Sequence, residues 1–164
     1  MTQIRANVRH LMDWKAAVIA GLIAGAVFLL VLLIAYPLAT GGTSWTIFRF
    51  IGAMVLGESV LPPPTTFDGG VVVTAVFIHF TLSILYTLVL AFIVHRWGIL
   101  ISILGGALFG LALYLINFFT FTMFFAWFYP ARAWPFSLVH ILFGAVAGGI
   151  YELLEKDVYV VEPG

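Results

Sequence analysis

An all-α, polytopic membrane protein with four transmembrane helices is the fold class this sequence predicts, and three observations predict it. Of 164 residues, 63% are hydrophobic and only 9% are charged, whereas a soluble domain carries about 25% charged residues. Mean hydropathy is +1.17. Four stretches stay apolar over the roughly 20 residues that a helix needs to cross a hydrocarbon core about 30 Å thick. They cover about 16–38, 71–94, 98–120 and 135–154 of a single membrane domain, 1–164. A helix satisfies its own backbone polar groups in lipid. The ten-residue alternation of a membrane β-barrel is absent from the sequence.

The same composition narrows function. High hydrophobicity excludes disorder. A net charge of +0 offers no basic field for nucleic acid. With no cysteine in the chain, disulfides, zinc–thiolate sites, iron–sulfur clusters and thiol catalysis are excluded, as is cysteine lipidation. The first apolar run is longer than the hydrophobic region of a cleaved signal peptide, so it is expected to remain as a span.

Each element has its own justification. The first span carries Ala17, Gly21 and Gly25 at four-residue intervals. That spacing lets helix backbones approach closely, which matters because lipid supplies no hydrophobic drive for association. The connection that follows, 39–70, contains a short helix over about 44–57, with Ser44 as its expected N-cap. This helix is too short to cross and reads as an interfacial amphipathic helix in the first outer loop; a re-entrant hairpin is the other reading. Its Arg49 has Glu58 as a candidate partner in an exposed pair. Pro62, Pro63 and Pro64 then form a stiff spacer, and Asp68 is a plausible cap for the second span. The third stretch stays apolar for 32 residues, from Gly98 to Tyr129, or about 48 Å as helix. The spanning part is therefore expected to end a few residues after Asn117, leaving FTFTMFFAWFYP as an outer extension. Gly106 and Gly110 mark the packing face of the third span, and Gly144 and Gly148 that of the fourth.

Of the 7 Lys and Arg residues, Arg5, Arg9, Lys15, Arg96 and Lys156 fall on one side of a four-span chain. Arg49 and Arg132 fall on the other. The excess predicts cytoplasmic N- and C-termini. Trp14 and Trp97 mark one interface; Trp45, Trp127 and Trp134 mark the other, as in an aromatic belt. Glu152, Glu155 and Asp157 read as a solvated helix end, His95 as interfacial and His10 as part of the N-terminal tail. The two halves echo one another. Each has a glycine-bearing helix, an aromatic outer segment and a returning helix with a histidine, an arrangement expected of parallel repeats.

The polar residues of the spans follow the glycines. Gly25 and Tyr36 are eleven residues apart, about three helical turns. Asn117 shares a face with Gly106 and Gly110, and His140 with Gly144, Gly148 and Tyr151. His79, Ser83 and Tyr86 form a similar stripe on the second span. Tyr36, His79, Asn117 and His140 are expected to meet in the outer half of the bundle. An ionisable residue inside a membrane is a functional hypothesis by default, although a histidine that only bridges helices is the simpler alternative. His79 and His140 are accordingly the candidate cofactor or metal ligands, for a b-type haem or a metal ion. Tyr36, Ser83 and Asn117 are the candidate acceptors for their second ring N–H groups.

The string NFFTF followed by HILFGAVAGGIYELL, with the earlier HFTLSILYTL, resembles uncharacterised small bacterial inner-membrane proteins of the YagU type. The resemblance implies about four helices in a bacterial inner membrane and no established chemistry. No G-x-S-x-G, H-E-x-x-H or phosphate-binding loop is present. The leading expectation is a non-enzymatic bundle without a cofactor. It would act as an accessory subunit of a larger membrane complex, or as a homo-oligomer, through its small-residue faces. Haem or metal binding by His79 and His140 is one alternative. A small transporter or channel is another, with few polar residues to line a path.

Overall fold

The computed structural model describes residues 7–95, 97–156 and 159–162. Arg5, Arg96 and Asp157, together with the side chains of Arg9 and His10, lie outside the described residues. In chain order the elements are β1 (Asn7–His10), α1 (Trp14–Thr40), α2 (Trp45–Leu56), α3 (Gly69–Val94), α4 (Ile99–Phe119), α5 (Trp134–Leu154) and β2 (Tyr159–Glu162). Single 3₁₀ turns at Glu58–Val60 and Phe121–Met123 and a longer one at Ala126–Arg132 complete the outer connections. Helices α1, α3, α4 and α5 are long and apolar enough to cross a membrane, and each begins and ends within two residues of its expected span.

Local chemistry sets the ends. The Asp13 carboxylate accepts from the backbone of Lys15 and Ala16, both at 3.0 Å, and starts α1. Gly41 ends it at φ 68, in the left-handed region that favours glycine. Asp13→Ala is expected to lower stability by about 1 kcal/mol, read as an earlier thermal transition in detergent. Asp68 caps α3 as expected, accepting from Val71 N at 3.1 Å. Ser44 does not cap α2: its backbone is already helical, and its Oγ donates to Leu33 O of α1 at 2.7 Å. The hydroxyl thus fastens α2 to α1 instead. Helix α4 ends two residues beyond Asn117, where Phe118 O accepts from Thr122 Oγ1 at 2.8 Å and from Arg132 Nε at 2.7 Å.

The spans form two hairpins. In the first, α1 meets α3 along Gly21 and Gly25. A Cβ on Gly21 would stand 2.9 Å from Ile84 Cα, and one on Gly25 would stand 2.7 Å from Ser83 Oγ. In the second, α4 meets α5 more closely still. A Cβ on Gly106 would strike Gly144 O, one on Gly110 would strike His140 O, and one on Gly148 would strike Ser102 O. The glycines at the positions expected for packing therefore serve it, and all six are spent inside one chain. The hairpins join through a close α1–α5 seam, while α3 and α4 touch sparingly.

A small-residue core fills the end nearest β1 and β2. Ala17, Ala20 and Ala24 of α1 pack with Leu90, Ala91 and Val94 of α3 and Ala147 and Tyr151 of α5. The carboxylates there do more than face solvent. Glu152 accepts from Ser102 Oγ at 2.9 Å, and Glu155 accepts from the buried Tyr151 hydroxyl at 2.8 Å. Beyond the bundle, β1 and β2 pair antiparallel, with Asn7 opposite Glu162 and His10 opposite Tyr159. This ribbon lies outside the all-α expectation; four residues per strand give too short a pattern to read.

Candidate functional site

At the end remote from that ribbon, here called outer, the bundle does not close. A cavity of about 300 Å³ lies between α3 and α4. Its walls include Phe28 and Leu32 of α1, His79, Leu82, Ser83 and Tyr86 of α3, Leu113, Asn117 and Phe118 of α4, and Phe136, His140 and Phe143 of α5. Helix α2 roofs it with Ile47, Phe50, Ile51 and Met54, and the aromatic extension adds Phe121, Phe125 and Phe128.

The roof is fastened at identifiable points. Trp127 Nε1 donates to Phe50 O at 3.0 Å, and the Phe50 and Phe128 rings meet edge to face at 5.9 Å. Gly52 lets α2 settle on α3, with Val71 Cγ1 3.0 Å from where a Cβ would stand. Arg49 does not pair with Glu58. Its two terminal nitrogens donate to Val60 O at 2.5 Å and Thr66 O at 3.1 Å, clamping the proline spacer to the helix. Arg132 does the same for the second connection. Besides Phe118 O, it donates to Thr122 Oγ1 at 2.6 Å and stacks over Tyr129 at 4.2 Å and Phe119 at 5.0 Å. Both outer cations thus hold backbone carbonyls of the connections, and Arg132 takes one left over at the end of α4.

Three of the four residues expected to converge do so. His79, His140 and Asn117 all line the cavity, and the two histidines are 8% and 6% exposed, so neither faces lipid. Tyr36 does not join them. It packs in the apolar cluster of Leu29, Leu32 and Ile47, and its ring edge lies beside Gly42. Asn117 keeps the same eleven-residue relation to Gly106 and reaches the cavity, so height and not helical phase separates Tyr36: His79 binds Gly25 O, and Tyr36 lies about 16 Å farther along α1.

The ring partners also differ from expectation. Neither Tyr36, Ser83 nor Asn117 accepts a histidine N–H. His79 Nε2 donates to Gly25 O of α1 at 2.8 Å, and His140 Nδ1 donates to Phe136 O of its own helix at 2.8 Å. A carbonyl only accepts, so each contact places the hydrogen. In the neutral rings, the lone pairs are left on His79 Nδ1 and His140 Nε2. Ser83 Oγ donates to His79 O at 2.8 Å, and Tyr86 bridges the α3–α4 gap by donating to Asn117 Oδ1 at 3.1 Å. Phe28 touches both imidazoles, stacked on His79 at 5.6 Å and edge-on to His140 at 4.9 Å. Phe28 carries no polar signal in the sequence, although it lies three residues beyond Gly25 and so on the same helical face. Among the described residues, no three His, Asp, Glu or Cys side chains group as a metal-ligand set.

The fold and the site together define a class: a four-span helical membrane bundle with an aromatic-walled cavity and a few convergent polar groups. No protein-family model, curated protein or solved structure matches the chain.

Proposed function

We propose that this protein is a non-enzymatic membrane bundle that binds a small apolar molecule in the cavity between α3 and α4. The observation that carries the reading is convergence: the polar residues of three spans turn into one Phe-lined space of about 300 Å³. Ligand sites are mostly apolar and carry a few placed polar groups. Hydrogen bonding to a guest suits His79 and His140 better than joint ligation of one metal or haem iron, because both rings pack on Phe28; the carbonyl that each ring N–H holds fits either role. The excess of Lys and Arg on the side of the termini supports an orientation with both ends cytoplasmic, in what the resemblance implies is a bacterial inner membrane. Service as an accessory subunit of a larger complex then falls to the lipid-facing surfaces. The glycine faces that suggested association are filled within one chain.

Native mass spectrometry of protein released from membranes tests the reading. A one-to-one adduct of low mass is expected, and Leu113→Trp, which fills the cavity from α4, is expected to lose it. A wild-type protein that emerges without any adduct, and takes none up from added lipid extract, would remove the proposal.

A further inference from the structure

We infer that the cavity receives the hydroxylated ring of a tail-bearing quinol and prefers it to the oxidised quinone; this deepens, and rests on, the binding function proposed above. The imidazoles set the requirement. Both have spent their N–H on backbone carbonyls, at 2.8 Å in each case. What each ring has left is a lone pair, which accepts and does not donate. Ser83 and Tyr86 have likewise spent their hydroxyl hydrogens, on His79 O and Asn117 Oδ1. The donor that remains is the Asn117 amide.

A guest that satisfies this set brings hydroxyl hydrogens for the imidazoles and an oxygen lone pair for Asn117. A phenolic hydroxyl supplies both. A quinone carbonyl supplies only the second, and sets oxygen lone pairs against nitrogen lone pairs in a Phe-lined site, where an unmade hydrogen bond is costly. The remaining walls favour a flat ring, since Phe28, Phe118 and Phe136 offer faces and edges for aromatic packing. A space of about 300 Å³ lies at the small end of ligand sites, about 300–1,000 Å³. It suits one ring and not a long chain. The tail leaves by the α3–α4 gap, where the helices touch sparingly and Leu82 and Leu113 line the cavity from either helix.

Calorimetric titration in nanodiscs of synthetic phospholipid, kept anaerobic, tests this with decyl-benzohydroquinone and the matching decyl-benzoquinone. The reduced form is expected to bind about tenfold more tightly, the ratio that one or two hydrogen bonds produce. In His140→Phe, which keeps a ring and removes the lone pair, that ratio is expected to fall towards one. Equal affinities in the wild type, or tighter binding of the quinone, overturn the inference and leave the binding function standing. Failure of either form to bind, in protein that also carries no native adduct, overturns both. If His140→Phe does not fold, the ratio measured on the unaltered chain decides alone.

Discussion

Gly144→Ala is expected to cost about 3 kcal/mol of stability, the upper end for overpacking a tight contact. The added methyl meets backbone on two sides: Gly106 O, and Gly110 N at 2.9 Å. Neither can rotate away as a side chain would, so α4 and α5 must separate along the whole seam. Gly105→Ala, one residue from Gly106, is expected to be neutral or stabilising by up to about 1 kcal/mol, the helix-propensity gain of alanine. A Cβ there meets only Val94 Cγ1, at an ordinary 3.6 Å. Unfolding of both variants in mixed micelles with increasing SDS gives the comparison. A Gly144→Ala curve that overlays the wild type would show that the seam has room the geometry denies it.

Arg132→Ala is the second large effect, expected at about 3 kcal/mol of local stability, from lost charge-assisted hydrogen bonds and a lost cation–π stack. The damage is confined to the aromatic extension, so a local probe is needed. The chain has no cysteine, which makes a single Ala131→Cys a clean reporter; Ala131 is 4% exposed. Maleimide labelling of that thiol is expected to be slow in the parent and at least about tenfold faster with Arg132→Ala. Arg132→Lys is expected to restore less than half of the protection, because one ammonium cannot reproduce the planar fork that reaches Phe118 O and Thr122 Oγ1 together. Unchanged labelling in the alanine variant would show that the extension is held by its aromatic contacts alone.

The spans were legible because hydropathy over twenty residues is a long, redundant signal, and the packing faces because glycine spacing on a helix maps directly onto a close approach. His79, His140 and Asn117 could be placed for the same reason: in lipid a polar side chain has few directions to take. What escaped depended on single rotations and on contacts distant in sequence. Tyr36 missed the site because eleven residues of helix carry it about 16 Å beyond the level of Gly25, where His79 binds. Ser44 carried a cap signature yet reached across to Leu33 O instead. The ring partners of the histidines are backbone carbonyls, and every residue type supplies a carbonyl. The roof was unreadable because an aromatic run such as Phe124–Phe128 has no periodicity from which to tell which ring turns inward.

The unequal seams make the molecule resemble a book. Its spine is the α1–α5 contact, its two leaves are the glycine-bound hairpins, and its fore-edge is the α3–α4 gap held by the Tyr86–Asn117 clasp. Parting the fore-edge disturbs the Tyr86–Asn117 bond and strains the Trp127–Phe50 link across the roof, while the leaves stay flat and the spine stays whole. A guest arriving from the surrounding acyl chains therefore meets the loosest seam between spans at that edge, and a neighbouring protein that leaned on it would shut it.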